Sequence, residues 1–296
     1  MARKKIDWNS VASEMDKLEN KNSYETDEGA VFKPKTKQDG TGSFIVRFLE
    51  PPKEEALPFA KIYNHGFQSA NKMWFIENCP TTKMNQCPVC TENSRIWDDD
   101  EQTARPRSRK LSYWTNVMVV KDDETPDNVG KVFKYRFGVK IWEKIKEELD
   151  DNNQVFDYEA GSNFKLKIKL VKSGSRSYPN YDSSSFSDPS PIGLGKTPFT
   201  ESEIDAIHEQ AQPLAAIVAD KEFKSYSELA TLFTKKTSIP VPTSVGGSVG
   251  GASAERPVQT PVAKAVVETV VDTAVDTVVD TETASDTEFF DILQND

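Results

Sequence analysis

Cysteine and histidine are scarce in this chain, with three Cys and two His among 296 residues. Three is an odd number for a disulfide framework. Two of the three form a Cys-x-x-Cys pair, which points to a reducing compartment and a metal. Long apolar runs are missing too. The longest, such as the Val-Met-Val-Val at 117–120, fall far short of the roughly 20 residues a membrane span needs, so no membrane association is expected. Residues 1–8 carry three basic side chains but no apolar stretch, so a secretory signal is not expected either. Hydrophobic residues make up only 36%, which implies that part of the chain stays outside any folded core. Acid/base pairs at a plausible spacing are absent, and no enzyme is expected. A zinc deaminase would need His-x-Glu followed by Pro-Cys-x-x-Cys, whereas His65 is followed by Gly66-Phe67 and Cys87 is preceded by Gln86.

The formal charge of −10 is unevenly spread. Residues 240–296 hold ten acids and two bases, a net of −8, whereas 21–239 are nearly neutral at −2. Within that middle part, 103–146 carry eleven bases against five acids, and 164–176 add five bases with no acid. Basic stripes joined to an acidic extremity do not exclude nucleic acid as uniform acidity would.

The chain reads as three units. Residues 1–20 form a basic arm, where Arg3-Lys4-Lys5 precedes Val11, Met15 and Leu18 at helical spacing. Residues 21–42 are a polar linker into a core that runs to 239. Strands are expected over 43–49, 73–76, 111–120, 131–137 and 164–170, the last two alternating strictly. A helix is expected over 139–149, where Ile141, Ile145 and Leu149 share a stripe. After a Ser/Pro-rich loop over 173–198, the capping box at Thr200 and Glu203 opens another helix, and a further one runs over 225–233. His208 is expected to be a surface residue. Residues 240–296 change to Gly, Val, Thr, Ser and Ala with near-repeats of four, which reads as a disordered acidic tail. Its apolar tip, Phe289-Phe290-Asp291-Ile292-Leu293, has the character of a docking peptide. The fold class expected is α+β, mostly β: a small oligonucleotide-binding (OB-fold) barrel with an inserted zinc subdomain at about 60–92, flanking helices and the tail.

His65, Cys79, Cys87 and Cys90 lie within 26 residues and include every cysteine in the chain. Zinc favours four N/S ligands in a tetrahedron, and one imidazole suits zinc better than an iron–sulfur cluster. A four-ligand protein set has no open position, so a structural role is expected.

Cations and rings interleave in three segments: Arg109-Lys110 with Tyr113-Trp114, Lys134-Tyr135-Arg136-Phe137, and Arg176 with Tyr178 and Tyr181. A single-strand binder needs cations for phosphates and flat rings for unstacked bases. The plainer reading of any one segment is a strand with rings on the core side and cations in water. A duplex-binding, transcription-type factor with a zinc module and an acidic activation tail is the alternative function.

Several segments carry a resemblance: Asn64-His65-Gly66-Phe67, Cys87-Pro88-Val89-Cys90, Val119-Val120-Lys121-Asp122, Lys131 to Phe137 with Gly138, and Lys140-Ile141-Trp142. Together they resemble the single-stranded-DNA-binding proteins of T-even-type bacteriophages. The resemblance implies cooperative coating of single strands in viral replication, recombination and repair, in the cytoplasm of an infected bacterium. It implies one structural Zn2+ on His65, Cys79, Cys87 and Cys90. The implied groove rings are Tyr113, Tyr135, Tyr178 and Tyr181, with Trp97 in place of a family tyrosine. Arg47, Arg109, Lys110, Lys134, Arg136 and Phe137 complete the expected DNA-contact set. Arg3, Lys4 and Lys5 resemble the segment through which neighbouring copies associate. Through Phe289, Phe290, Ile292 and Leu293 the tail would meet phage DNA polymerase, helicase/primase, helicase loader and recombinase. Ala104 and the short loop between Cys79 and Cys87 depart from the pattern, each removing a tyrosine.

Overall fold

A computed structural model describes residues 31–173 and 176–244. The arm with Arg3, Lys4 and Lys5, and the tail tip with Phe289, Phe290, Ile292 and Leu293, lie outside the described residues.

The body is an antiparallel sheet of eight strands, curled into a half-barrel. Its strands are β1 (Gly42–Phe48), β2 (Phe59–Gln68), β3 (Trp74–Asn78), β4 (Lys110–Asp122), β5 (Val132–Phe137), β6 (Asn163–Ser173), β7 (Arg176–Asn180) and β8 (Ser185–Phe186). The order is β3-β2-β4-β1-β6-β7, with β5 on β4 and β8 on β6. The thirteen-residue β4 is the hub. It meets β2 through residues 110–115, β1 through 117–122 and β5 through 113–118. A register shift between Ile45 and Val46 bends β1 where it crosses β4. A small hairpin, β9 (Gly193–Leu194) with β10 (Thr197–Pro198), lies apart.

Alternation works as expected in β6: Phe164, Leu166 and Ile168 are buried while Lys165, Lys167 and Lys169 face water. It ends at Leu170, which is 45% exposed where β6 and β7 run on as a two-stranded ribbon. Beyond the short β8, β9 and β10 and the helix over 88–96, three more strands or helices were not expected. The His, Gly and Asn of β2 mask its strand character, and Pro179 in β7 reads as a loop but is tolerated there on an edge. The third is the helix α2 (Glu101–Arg107), whose cap Asp100 accepts a bond from the Thr103 N–H at 3.0 Å. The other helices are α1 (Pro88–Ile96), α3 (Val139–Asp150), α4 (Glu201–His208) and α5 (Tyr226–Thr237).

Three apolar clusters hold these elements. The largest lies inside the half-barrel, where Phe48 meets the rings of Phe137, Phe156, Phe164 and Phe186 at 5.6–6.0 Å and α3 contributes Ile141 and Ile145. A second joins Phe67 and Phe75 of the β2–β3 hairpin to Leu229 and Phe233 of α5. The third packs Leu49, Met118 and Tyr158 against Ile207 of α4. That last contact corrects the expectation for His208. It is half-buried, with its Nδ1 2.9 Å from the Tyr158 hydroxyl and its ring edge-on to the tyrosine.

Candidate metal centre and nucleic-acid interface

Local structure brings His65, Cys79, Cys87 and Cys90 to one point. His65 lies on β2, and Cys79 follows β3, its N–H donating to the Tyr63 carbonyl at 2.8 Å. A 3-10 turn, Pro80–Lys83, then reverses the chain, ending at Met84 with a positive φ of 61°. Cys87 caps α1, Pro88 sets the first helical position, and Cys90 falls in the first turn. Two of the four candidate ligands thus come from one helix N-terminus.

The four ligand atoms lie within 4.8 Å of one another. His65 Nε2 is 3.5 Å from Cys87 Sγ and 3.6 Å from Cys90 Sγ, and Cys79 Sγ is 3.5 Å from Cys90 Sγ. A tetrahedral ion with metal–sulfur bonds near 2.3 Å separates its ligands by about 3.6–3.8 Å, so the donor set fits a metal with little movement. His65 Nδ1 is 3.0 Å from the Arg107 carbonyl. A proton on Nδ1 donated to that oxygen leaves Nε2 as the ligand. Burial alone would lower the His65 pKa, but the hydrogen bonds and charges of Cys79 and Cys87 outweigh it and raise it to about 9. Hydrogen bonds from Cys87 and Cys90 draw the Cys79 thiol far below its usual range, and the contacts with Cys79 and Cys87 push Cys90 far above. Crowded lone pairs with too few protons are the electrostatic condition a cation relieves.

The expected DNA-contact residues do not form one trough. Adjacent residues of a strand face opposite ways, and that separates rings from cations in β5. Tyr135 and Phe137 point into the barrel core, whereas Lys134 and Arg136 lie half-buried on the other face. Burial raises the Tyr135 hydroxyl well above the ordinary tyrosine range. Arg136 donates from Nε to Ser112 Oγ at 3.1 Å and lies 5.9 Å over the Trp114 ring. Tyr113 is 4% exposed, stacked between Trp142 at 4.2 Å and Phe137 at 5.8 Å. Tyr178 is buried opposite Val171, and Tyr181 is half-buried against the main core. Lys110 is half-buried opposite Asn64. Trp97 is 38% exposed at the end of α1, but Asp98, Asp99 and Asp100 follow it, so its surroundings are acidic.

Arg47 requires a correction. It is fully buried, and its Nη2 donates to the carbonyls of Asp157 at 2.7 Å, Ser190 at 3.0 Å and Tyr158 at 3.4 Å. Burial draws its pKa down to about 10 against the pull of Asp157. It ties the 157–161 loop to β1 and presents nothing to solvent. A Cβ on Gly161 would come within 2.4 Å of the Asp157 carbonyl and 2.9 Å of Arg47 Nη2, so the loop closes only on glycine.

One face does bring half-buried rings beside exposed cations. Phe59, Lys61 and Tyr63 on β2 share it with Leu111 and Tyr113 on β4, as the pairs Lys61↔Tyr113 and Tyr63↔Leu111 require. Trp142, half-buried on α3, continues the row against Phe59 at 4.6 Å. Arg109, two residues before Leu111, lies over the Tyr63 ring at 4.5 Å. Of this row, the expected set named only Tyr113 and Arg109. The signal for the rest was the alternation of Phe59, Lys61 and Tyr63, hidden by the glycine and histidine that follow.

A family model described as gp32 DNA binding protein like matches residues 9–237. Among curated proteins, the chain is 36% identical over 237 residues to a protein of Enterobacteria phage T2 named single-stranded DNA-binding protein, covering 76% of each. It is 36% identical over 234 residues to the protein of that name from Enterobacteria phage T4, covering 75% of each. A third, from Enterobacteria phage RB70, is 36% identical over 109 residues, which span 35% of this chain and 92% of the relative.

Proposed function

The chain belongs to the gp32 DNA binding protein like family, and from that premise we propose that it is a sequence-independent single-stranded-DNA-binding protein of viral replication. The observation that carries this reading is the row in which exposed Arg109 and Lys61 flank half-buried Tyr63 and Trp142, lying within the matched residues and beside the metal centre. Its work is binding and not catalysis. The half-barrel is an OB-type platform with flanking helices, and one structural Zn2+ on His65, Cys79, Cys87 and Cys90 holds the lobe at its end. Zinc supplies a redox-inert tetrahedral link, and the four side chains fix β2, the 3-10 turn and α1 to each other.

Extended single strands would lie across the row with bases against open ring faces and phosphates on the cations. Residues 1–20, through Arg3, Lys4 and Lys5, join neighbouring copies into filaments. The protein works in the cytoplasm of the infected host, in recombination and repair as well as replication. Among the described residues no helix is long and apolar enough to cross a membrane.

Titrating intrinsic fluorescence with poly(dT) at two salt concentrations tests the reading. Quenching is expected, with log affinity falling against log salt by about 0.7 per phosphate neutralised. Mixed-sequence duplex should bind more weakly. Tighter duplex binding, or no response to poly(dT) at modest ionic strength, rejects it.

The acidic tail is a competitor for the same cations. Residues 240–296 carry a net −8, and entering DNA displaces them, freeing Phe289, Phe290, Ile292 and Leu293 for polymerase, helicase/primase, helicase loader and recombinase. Deleting 245–296 is therefore expected to raise poly(dT) affinity most at low salt, where the screening length is roughly 30 Å at 0.01 M against about 8 Å at 0.15 M. An unchanged low-salt affinity removes the tail from this role and leaves strand binding intact.

A further inference from the structure

We propose that Arg109 and Lys61, both held against the Tyr63 ring, form a phosphate-binding subsite where the half-barrel meets the metal lobe, with Tyr63 as its positioning residue. The inference rests on the single-strand reading above and assigns one phosphodiester of the strand to this place.

Strand geometry brings the three side chains together. Lys61 and Tyr63 are two apart on β2 and share a face, and Arg109, the residue just before β4, reaches over the same ring. The Arg109 guanidinium carbon is 4.5 Å from the Tyr63 ring centroid and the Lys61 Nζ is 5.3 Å from it. Both cations are exposed, and neither is paired with a carboxylate among the described residues. A guanidinium lying over a ring keeps its N–H edge turned outward. That planar fork matches two oxygens of a phosphate, which a lysine ammonium cannot do. Holding the long side chain on the ring before the strand arrives lowers the ordering cost of binding. Lys61 adds a second positive charge at the same ring.

The backbone under the subsite is fixed from the metal lobe. Tyr63 donates its N–H to Thr82 Oγ1 at 2.9 Å and accepts at its carbonyl from the Cys79 N–H at 2.8 Å. At the end of α2, the Arg107 carbonyl is held by His65 Nδ1 two residues before Arg109. Ring and guanidinium are thus anchored by the turn and the histidine that carry metal ligands.

The test is the salt dependence of oligothymidylate binding by the full chain and its variants. Arg109→Gln should reduce the slope of log affinity against log salt by about 0.7. Affinity at low salt should fall roughly tenfold. Tyr63→Leu removes no charge, yet should move slope and affinity the same way, because the guanidinium loses its support. Tyr63→Phe keeps the ring face and should keep wild-type values. Arg109→Lys keeps the charge but loses the fork, so it should weaken binding too; at this exposed position it should leave melting and metal content unchanged. A Tyr63→Leu/Arg109→Gln double variant should lose less than the two single losses added together, because both act through one contact. Wild-type binding by Arg109→Lys, or a wild-type slope in Tyr63→Leu, overturns the subsite while the single-strand reading stands. Failure of the unaltered chain to bind oligothymidylate overturns that reading itself.

Discussion

Removing the ion from His65, Cys79, Cys87 and Cys90 is expected to unfold the metal lobe while the half-barrel survives. Structural zinc contributes about 10–16 kcal/mol in zinc-finger peptides at neutral pH, as much as the roughly 5–15 kcal/mol that holds a whole domain. This lobe has more than the ion to rely on. Phe67 and Phe75 stack at 5.3 Å, and Phe233 of α5 meets both rings edge-on. Part of the metal's contribution therefore falls on a small apolar core that survives stripping in loosened form. Limited proteolysis after treatment with a mercurial and a chelator should cut first within 80–107, with the β4–β5–β6 region protected. Melting should then show an early transition for the lobe. Cobalt added to the stripped protein should restore protection and give the visible bands of a tetrahedral thiolate site. A native preparation without metal, melting as before after mercurial treatment, would show that the sulfurs hold nothing.

How far the site was legible follows from the range of the interactions that build it. The metal set lies within 26 residues, uses every cysteine and depends on a turn and a helix start, all local features. The alternations of β5 and β6 were equally plain, because period two is a property of consecutive residues. The pattern could not say which rings stay open. In β5 the alternation that marked a strand also put Tyr135 and Phe137 inside and Lys134 and Arg136 outside, which favours the plainer reading of that segment. Tyr63, beside the metal lobe, has a ring bracketed by cations. The cover over the metal lobe was out of reach for another reason. It comes from α5, whose Phe233 follows Cys90 by well over a hundred residues, and nothing local encodes that approach. Arg47 was misread for the same cause: its partners Asp157 and Ser190 are 110 and 143 residues away.

That misreading leads to an opposite pair of outcomes for two arginines. Arg47→Ala is expected to cost about 3–5 kcal/mol of stability, because the carbonyls of Asp157 and Ser190 lose their donor inside the protein and a cavity opens at the base of β1. For a folded body of this size that lowers the melting temperature by roughly 6–20 °C. Arg47→Met, which fills most of the volume but donates nothing, should fall between wild type and alanine. The difference between the two variants measures packing, and the remaining loss in methionine measures the unpaired carbonyls. Gly161→Ala should mimic the arginine loss with the arginine still in place, since the added methyl collides with the Asp157 carbonyl and with Arg47 Nη2. None of these variants, kept below its melting transition, should change the salt slope for oligothymidylate, because Arg47 meets no phosphate. Arg109→Gln should do the reverse, lowering the slope and sparing the melt. An Arg47→Ala protein that melts like wild type but binds with a reduced slope would return this residue to the strand-binding surface and undo the buried assignment.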